Sequence, residues 1–265
     1  MSAKPARLLI IAGSDSSGGA GIQADVKTAD AFGVYAMTAV TAITVQDTTG
    51  VRSVHPVPAK VVRAQIAACL NDIGTDAIKI GMLSSAEIAA AVAGAISKIA
   101  QSVPVVLDPV MLATSGKTLL SREAMEVLKS KLLPLARLVT PNLPEASRMT
   151  GVRGSARAQA ETAGRKLIEM GAKAALIKGG HATAATVDDV LVWERGVEVY
   201  AFPRLRTKHT HGTGCTLATG IACGLAQGLP LPVAVGKARE FVQKAIETAP
   251  GFGHGHGPLN YFAPV

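Results

Sequence analysis

Aromatic side chains are scarce in this 265-residue chain: one Trp, three Tyr and five Phe, or 3%. A core of stacked rings is thereby excluded, and the interior must be aliphatic, which the 48% hydrophobic content supplies. Cysteine is equally sparse. Cys69, Cys215 and Cys223 form no Cys-x-x-Cys pair, which excludes a disulfide framework and suits a reducing compartment. Long apolar runs are missing as well. The longest uncharged one, residues 88–96, falls well short of the roughly 20 residues a bilayer-spanning helix needs. Intrinsic disorder is excluded because only 17% of residues are charged. The basic start does not read as a secretory leader, since the apolar run 8–13 is short and meets Ser14-Asp15 without a cleavage site. Residues 8–12 are read as a first strand, and a cytoplasmic location is expected.

What is present is glycine, 27 residues, and a net charge of +8. Frequent glycine points to tight turns where backbone approaches a ligand. The positive surplus favours anionic partners. Nucleic acid is not expected, because the densest basic group (Arg204, Arg206, Lys208) has no interleaved aromatics for base stacking. Phosphorylated small molecules fit better, and a basic surface with no specific task fits too.

Short aliphatic runs at 8–12, 36–45, 77–80, 103–107, 137–139 and 174–177 are apolar at nearly every position, as in strands covered on both faces of a parallel sheet. Helical periodicity lies between them at 20–32, 59–73, 85–99, 122–132 and 156–170, three of these segments being closed by Gly33, Gly74 and Gly171. A hairpin is predicted from 190–194 and 197–202 around Arg195-Gly196, followed by helices near 216–227 and 232–248. Alternation of this kind predicts an α/β fold: a three-layer α/β/α sandwich with a mostly parallel central sheet. No linker or repeat divides the chain, so residues 1–265 are expected to form a single domain. Ligands of such sheets sit beyond the carboxyl ends of the strands.

Six polar or glycine-rich clusters follow the predicted strands. Gly13-Ser-Asp-Ser-Ser-Gly-Gly-Ala20-Gly21 nearly has Walker A spacing but lacks its Lys and Ser/Thr, and it is no dinucleotide fingerprint, which argues against a dehydrogenase. It reads either as a close approach to a flat ligand or as a plain strand-to-helix turn. Gln46, in 44–50, can pair with an amino group beside a ring nitrogen, or simply be solvated. Asp108-Pro109 can face a metal-bound phosphate or open a turn. Asn142 and Glu145, three apart, can hold Mg²⁺ through water or form a helix capping box. Lys178-Gly-Gly-His181 reads as a nucleotide-phosphate contact or a surface lysine before a turn. Thr210-His-Gly212-Thr213-Gly214-Cys215-Thr216 opens a small-residue helix whose free N–H groups and dipole suit a phosphoryl group in transfer. Its Cys215 is expected to have a favoured thiolate, or else to be buried and inert. A metal site from His209, His211 and Cys215 is not expected, for want of a second Cys/His pair at finger spacing.

Together these clusters resemble the ribokinase-like superfamily, and within it the hydroxymethylpyrimidine/phosphomethylpyrimidine kinases of thiamine biosynthesis. The matching segments are 12–25, Gln46, Lys79-Ile-Gly-Met82, Asp108-Pro-Val110-Met, Thr140-Pro-Asn142-Leu-Pro-Glu145, Lys178-Gly-Gly-His181, Thr210-His-Gly-Thr-Gly-Cys215 and Gly257-Pro-Leu-Asn260, in family order over nearly the whole chain. The resemblance implies phosphorylation by ATP, with Mg²⁺, of 4-amino-5-hydroxymethyl-2-methylpyrimidine and then of its monophosphate. It places Gln46 on the aminopyrimidine edge, with Gly13, Ala20, Val45, Met82 and Val110 around the ring and Asp25 near the hydroxymethyl side. Asn142, Glu145 and Asp108 would organise Mg²⁺, Lys178, Asn142 and Asp108 would serve ATP, and Gly212, Thr213, Gly214 and Cys215 would form the catalytic anion hole. The wider superfamily has Asp where this chain has Cys215. The resemblance also suggests a homodimer, with no membrane and no nucleic acid among its partners. The nearest alternatives are a pyridoxal kinase of the same superfamily and a non-catalytic pyrimidine-phosphate sensor.

Overall fold

The computed structural model describes residues 4–112, 116, 119–154, 157–180 and 185–265; Ala156 and His181, named above, lie outside them. In chain order the elements are β1 (Arg7–Asp15), α1 (Gly21–Ala31), β2 (Tyr35–Asp47), β3 (Gly50–Pro56), α2 (Ala59–Asp72), β4 (Ala77–Ile80), α3 (Ala86–Ile96), β5 (Val105–Leu107), α4 (Arg122–Val127), β6 (Leu138–Val139), α5 (Leu143–Thr150), α6 (Arg157–Glu169), β7 (Ala174–Ile177), β8 (Thr186–Trp193), β9 (Gly196–Pro203), α7 (Thr213–Ala226) and α8 (Leu231–Glu247). The predicted 122–132 helix widens after α4 into one π turn, Leu128–Leu132.

The nine strands form one sheet in the order β3-β2-β1-β4-β5-β6-β7-β8-β9. β2 through β7 in that order run parallel, while β3 at one edge and the β8–β9 hairpin at the other are antiparallel. Alternation along β1 explains why the central strands read as unbroken apolar runs. Leu9 and Ile11 pack into the core shared with α2 to α6, whereas Leu8, Ile10 and Ala12 pack into that shared with α1, α7 and α8. The result is the expected three layers. β3 was not anticipated, and the reason is visible: it is an edge strand whose sequence includes Arg52, Ser53, His55 and Pro56, polar and proline-bearing where a buried strand would be aliphatic.

The chain runs outward from β1 to β2 and β3, then returns to add β4 on the opposite side of β1. This reversal opens a crevice at the strands' carboxyl ends. α7 enters the crevice at its N-terminus, and its depth is set by close packing on α8. A Cβ at Gly224 would lie 2.8 Å from the Ala234 Cβ, and one at Gly220 3.0 Å from that of Ala238. Gly224→Val is therefore expected to lower the unfolding free energy by about 1–3 kcal/mol, the range for overpacking a tight core, read from the midpoint of a urea titration.

Candidate active site

The first strand ends on Asp15, which is buried and gathers the following loop around itself. Its Oδ1 accepts from the Ser17 N–H and hydroxyl at 2.9 and 2.8 Å, and its Oδ2 from the N–H groups of Gly19 and Ala20 at 3.2 and 2.8 Å. His211 Nε2, from the far end of the chain, also lies 2.8 Å from Oδ2. Burial would raise the Asp15 carboxyl, but the hydrogen bonds from His211 and Ser17 outweigh it and hold the group below the usual carboxylate range. Two more contacts lock the loop to the last motif. The Tyr261 hydroxyl donates to the Gly19 carbonyl at 2.8 Å. Gly212, at φ 85°, sits so near that carbonyl that a Cβ there would collide with it.

Below the crevice, Lys79 and Asp25 form a wholly buried ion pair at 2.7 Å, and the Thr219 hydroxyl donates to the other Asp25 oxygen, also at 2.7 Å. Burial works against the ammonium, but the Asp25 charge outweighs it and keeps Lys79 above its ordinary value. Asp25 was expected near the reacting hydroxymethyl group. Lys79 lines the cavity, and the inward face of α1 buries Asp25 directly beneath it. Val45, expected against the ring, is corrected. β2 turns Thr44 and Gln46 into the cavity, and the alternate Val45 side chain faces outward, 48% exposed.

The thiol of Cys215 lines the cavity at the start of α7. Burial pushes it up to about 11; Lys79 opposes the shift, and Asp25 and Asp108 add to it. Of the two expectations for Cys215, this favours the buried, neutral thiol, since desolvation and two carboxylates outweigh Lys79 and the Gly21 N–H.

Beyond β5, Asp108 Oδ1 accepts from the Thr140 hydroxyl at 3.0 Å and from Lys178 Nζ at 2.8 Å. Asn142 and Glu145 do form the capping box of α5: Asn142 Oδ1 accepts from Glu145 N at 2.9 Å, and Glu145 Oε2 accepts from Asn142 N at 2.8 Å. Burial raises the Glu145 carboxyl; Lys178 opposes this and Asp108 adds to it. Among the described residues no group of three His, Cys, Asp or Glu is arranged to hold a metal directly. Glu145 Oε1 is further engaged by Met111 N at 3.4 Å. The set nevertheless suits a hydrated Mg²⁺, which is bound through one or two carboxylates and keeps several waters. The space for such a group is above Gly214, where a Cβ would lie 3.1 Å from Lys178 Nζ and 3.7 Å from Asp108 Oδ2. No side chain caps α7 behind Gly212; the Thr213 N–H is donated to the Thr210 carbonyl at 3.3 Å, and those of Gly214 and Cys215 remain available there.

One cavity of about 620 Å³ joins these parts, and Gly13, Gln46, Asp108, Asn142, Lys178 and Gly214, from six separate segments, all line it. Ala20, Met82, Val110, Glu145, Thr213 and Cys215 line it as well. Sequence reading did not single out Asp15, and it weighed His211 only as a metal ligand. It also missed the apolar part of the lining contributed by Val187, Leu205, Val242 and Ile246, a slot beside the first turn of α7. Beside that slot Arg239 pairs with buried Asp189 at 3.0 Å and lies 4.4 Å from the Phe202 ring centroid. The i, i+4 spacing of Val242 and Ile246 on α8 was the available signal.

Comparison with solved structures places this geometry. An ADP complex of a Bacillus subtilis pyridoxal kinase matches with a TM-score of 0.91 and 36% identity, over 98% of both chains. A phosphomethylpyrimidine kinase from Clostridium difficile 630 matches with a TM-score of 0.81 and 40% identity, over 91% of this chain and 99% of that one. The fold is ribokinase-like and the protein is a phosphotransferase. A family model described as phosphomethylpyrimidine kinase matches residues 15–260. The Streptomyces coelicolor hydroxymethylpyrimidine/phosphomethylpyrimidine kinase is 44% identical over 97% of this chain and 94% of its own length. The chain belongs to the phosphomethylpyrimidine kinase family. The Geobacter sulfurreducens thiamine biosynthesis bifunctional protein ThiED is 46% identical, and this chain spans about half (52%) of its length.

A neutral Cys215 has a direct chemical signature. Alkylation of this thiol by iodoacetamide is expected to be slow at pH 7 and to accelerate as pH rises through 9 towards 11, followed by peptide mass spectrometry. Full reaction at neutral pH would contradict the shift.

Proposed function

We propose that this chain transfers the terminal phosphoryl group of ATP to the hydroxymethyl oxygen of 4-amino-5-hydroxymethyl-2-methylpyrimidine, and then a second phosphoryl group to the resulting monophosphate. The observation that carries this reading is the single cavity running from Gln46 to the N-terminus of α7 and on to the apolar slot of α8. Gln46 is assigned to the aminopyrimidine edge, with Gly13, Ala20, Met82 and Val110 against the ring. The slot of Val187, Leu205, Val242 and Ile246 is assigned to the nucleotide base. Lys178 and the open N–H groups of Gly214 and Cys215 then face the phosphates. Asp108 and Glu145, with Asn142, would hold Mg²⁺ through water, and the ion would supply positive charge to the phosphate oxygens.

In each step a new P–O bond forms to the acceptor oxygen and the bond from the terminal phosphorus to the ADP oxygen breaks. The acceptor's proton is released in the first step, and the second acceptor is already ionised at neutral pH. Because the transition state is loose, alignment and charge stabilisation count for more than proton abstraction. A neutral Cys215 fits that demand. A carboxylate in its place would sit among Asp25 and Asp108 and repel the anionic second acceptor.

A homodimer and a cytoplasmic setting complete the proposal. Ile43 and Val45, alternate residues on the outer face of β2, are 54% and 48% exposed and offer an apolar surface for a second copy. The free cysteines fit a reducing compartment. Phosphorylation of pyridoxal is the second reading, favoured by the TM-score of 0.91 to the Bacillus subtilis pyridoxal kinase.

The test is a coupled ATP-consumption assay with the aminopyrimidine alcohol, its monophosphate and pyridoxal. Turnover of both pyrimidines is expected, and absence of product from either with ATP and Mg²⁺ overturns the reading. In Cys215→Asp the rate on the monophosphate should fall roughly tenfold or more beyond any fall on the alcohol, since juxtaposed like charges cost several kcal/mol.

A further inference from the structure

A count of hydrogens around Gln46 settles which way its amide faces. Asp15 Oδ2 accepts from two backbone N–H groups and, being ionised, offers no proton, so His211 Nε2, 2.8 Å away, carries the hydrogen between them. The same His211 Nε2 lies 3.2 Å from Gln46 Nε2, a pairing of two donors. On the other side the Thr44 hydroxyl has one hydrogen, which goes to the Ser14 carbonyl at 2.8 Å, and Gln46 Oε1 lies 3.3 Å from the same hydroxyl oxygen, a pairing of two acceptors. Both conflicts are relieved when the isosteric amide is turned over. Gln46 Oε1 then shares the one His211 Nε2 hydrogen with Asp15 Oδ2 in a three-centre bond, the longer arm at 3.2 Å, and Gln46 Nε2–H₂ donates to the Thr44 oxygen. The result holds for neutral or protonated His211, because Nε2 carries its hydrogen in both.

We propose that the Asp15–His211 pair fixes the sense of the Gln46 amide and thereby selects ring edges bearing an amino group over those bearing an oxo group. The inference rests on the pyrimidine-kinase reading of the site and deepens it. Anchored at both ends, Gln46 keeps one lone pair on Oε1 and one hydrogen on Nε2 for the cavity that it lines. On an aminopyrimidine edge the amino group donates to the first, and the unprotonated ring nitrogen accepts from the second. The 4-oxo analogue, with its carbonyl beside a ring N–H, has the inverse pattern and needs the amide reversed. Reversal would set Gln46 Nε2 against the His211 donor and Oε1 against the Thr44 lone pair. His211 is thus a positioning residue that acts on the ligand through Gln46.

The test compares kcat and KM for the amino alcohol and its 4-oxo analogue in the wild type, His211→Met, His211→Gln and Thr44→Val. His211→Met has similar bulk and no donor, while Asp15 keeps its bonds from Ser17, Gly19 and Ala20. Its amino-over-oxo preference in kcat/KM should fall at least about tenfold, through the pyrimidine KM, with the KM for ATP unchanged. Glutamine at 211 restores a donor at the Nε2 position and should restore the preference to within about threefold. Thr44→Val releases the other anchor, and it should lower the preference in the same direction; it decides the matter should the methionine variant not fold. A folded His211→Met or Thr44→Val enzyme with undiminished preference overturns the proposal. A wild type that phosphorylates neither pyrimidine instead overturns the underlying functional reading.

Discussion

The site depends on the carboxylate of Asp15, which ties two segments almost 200 residues apart into one wall. Four hydrogen bonds from its own loop and one from His211 converge on its two oxygens. Ionised and buried, it is stable only while those donors stay in place, because an unpaired buried carboxylate is costly. The glycine-rich turn after β1 and the helix start at α7 therefore cannot be arranged independently. Tyr261, donating to the Gly19 carbonyl, extends the same tie to the end of the chain. A ligand meeting Ala20 on one side and Gly214 on the other meets a single rigid surface.

Charge is distributed along that surface in compensated pairs. Lys79 is matched by Asp25, Lys178 by Asp108 and Arg239 by Asp189, each at 2.7–3.0 Å and each largely withdrawn from water. Such pairs contribute little net stability, since desolvation offsets most of their attraction, but they hold side chains in fixed places. The pairs differ in what they face. Lys178 and Asp108 open onto the space above Gly214, where a phosphate and a hydrated cation would meet, while Asp25 lies beneath Lys79 and keeps it charged below Cys215.

Much of this was legible in the residues because burial on both sides of a parallel sheet leaves an unmistakable aliphatic signature. The runs at 77–80 and 174–177 coincide with β4 and β7, and each polar cluster stands at a strand's carboxyl end. β3 escaped because an edge strand need not be apolar. Val45 was misplaced because a motif orders residues along the chain but not across a pleat. The charge of Cys215 stayed open in the sequence because a helix terminus is local and visible there, whereas Asp25 and Asp108, which oppose it, come from remote segments. His211 and Asp15 gave no signal individually; their meaning lies in a contact that only folding creates.

The seam between α7 and α8 carries one more consequence. Gly220 and Gly224 lie so close to Ala238 and Ala234 that neither helix can slide or tilt towards its neighbour. Both helices reach the same cavity, α7 with its first turn and α8 with Val242 and Ile246. In the antiparallel register that these contacts set, Val242 and Ile246 stand beside that first turn. This wall is held by glycine against alanine rather than by adaptable side chains, so it behaves as one stiff plate whose two helices can move only together.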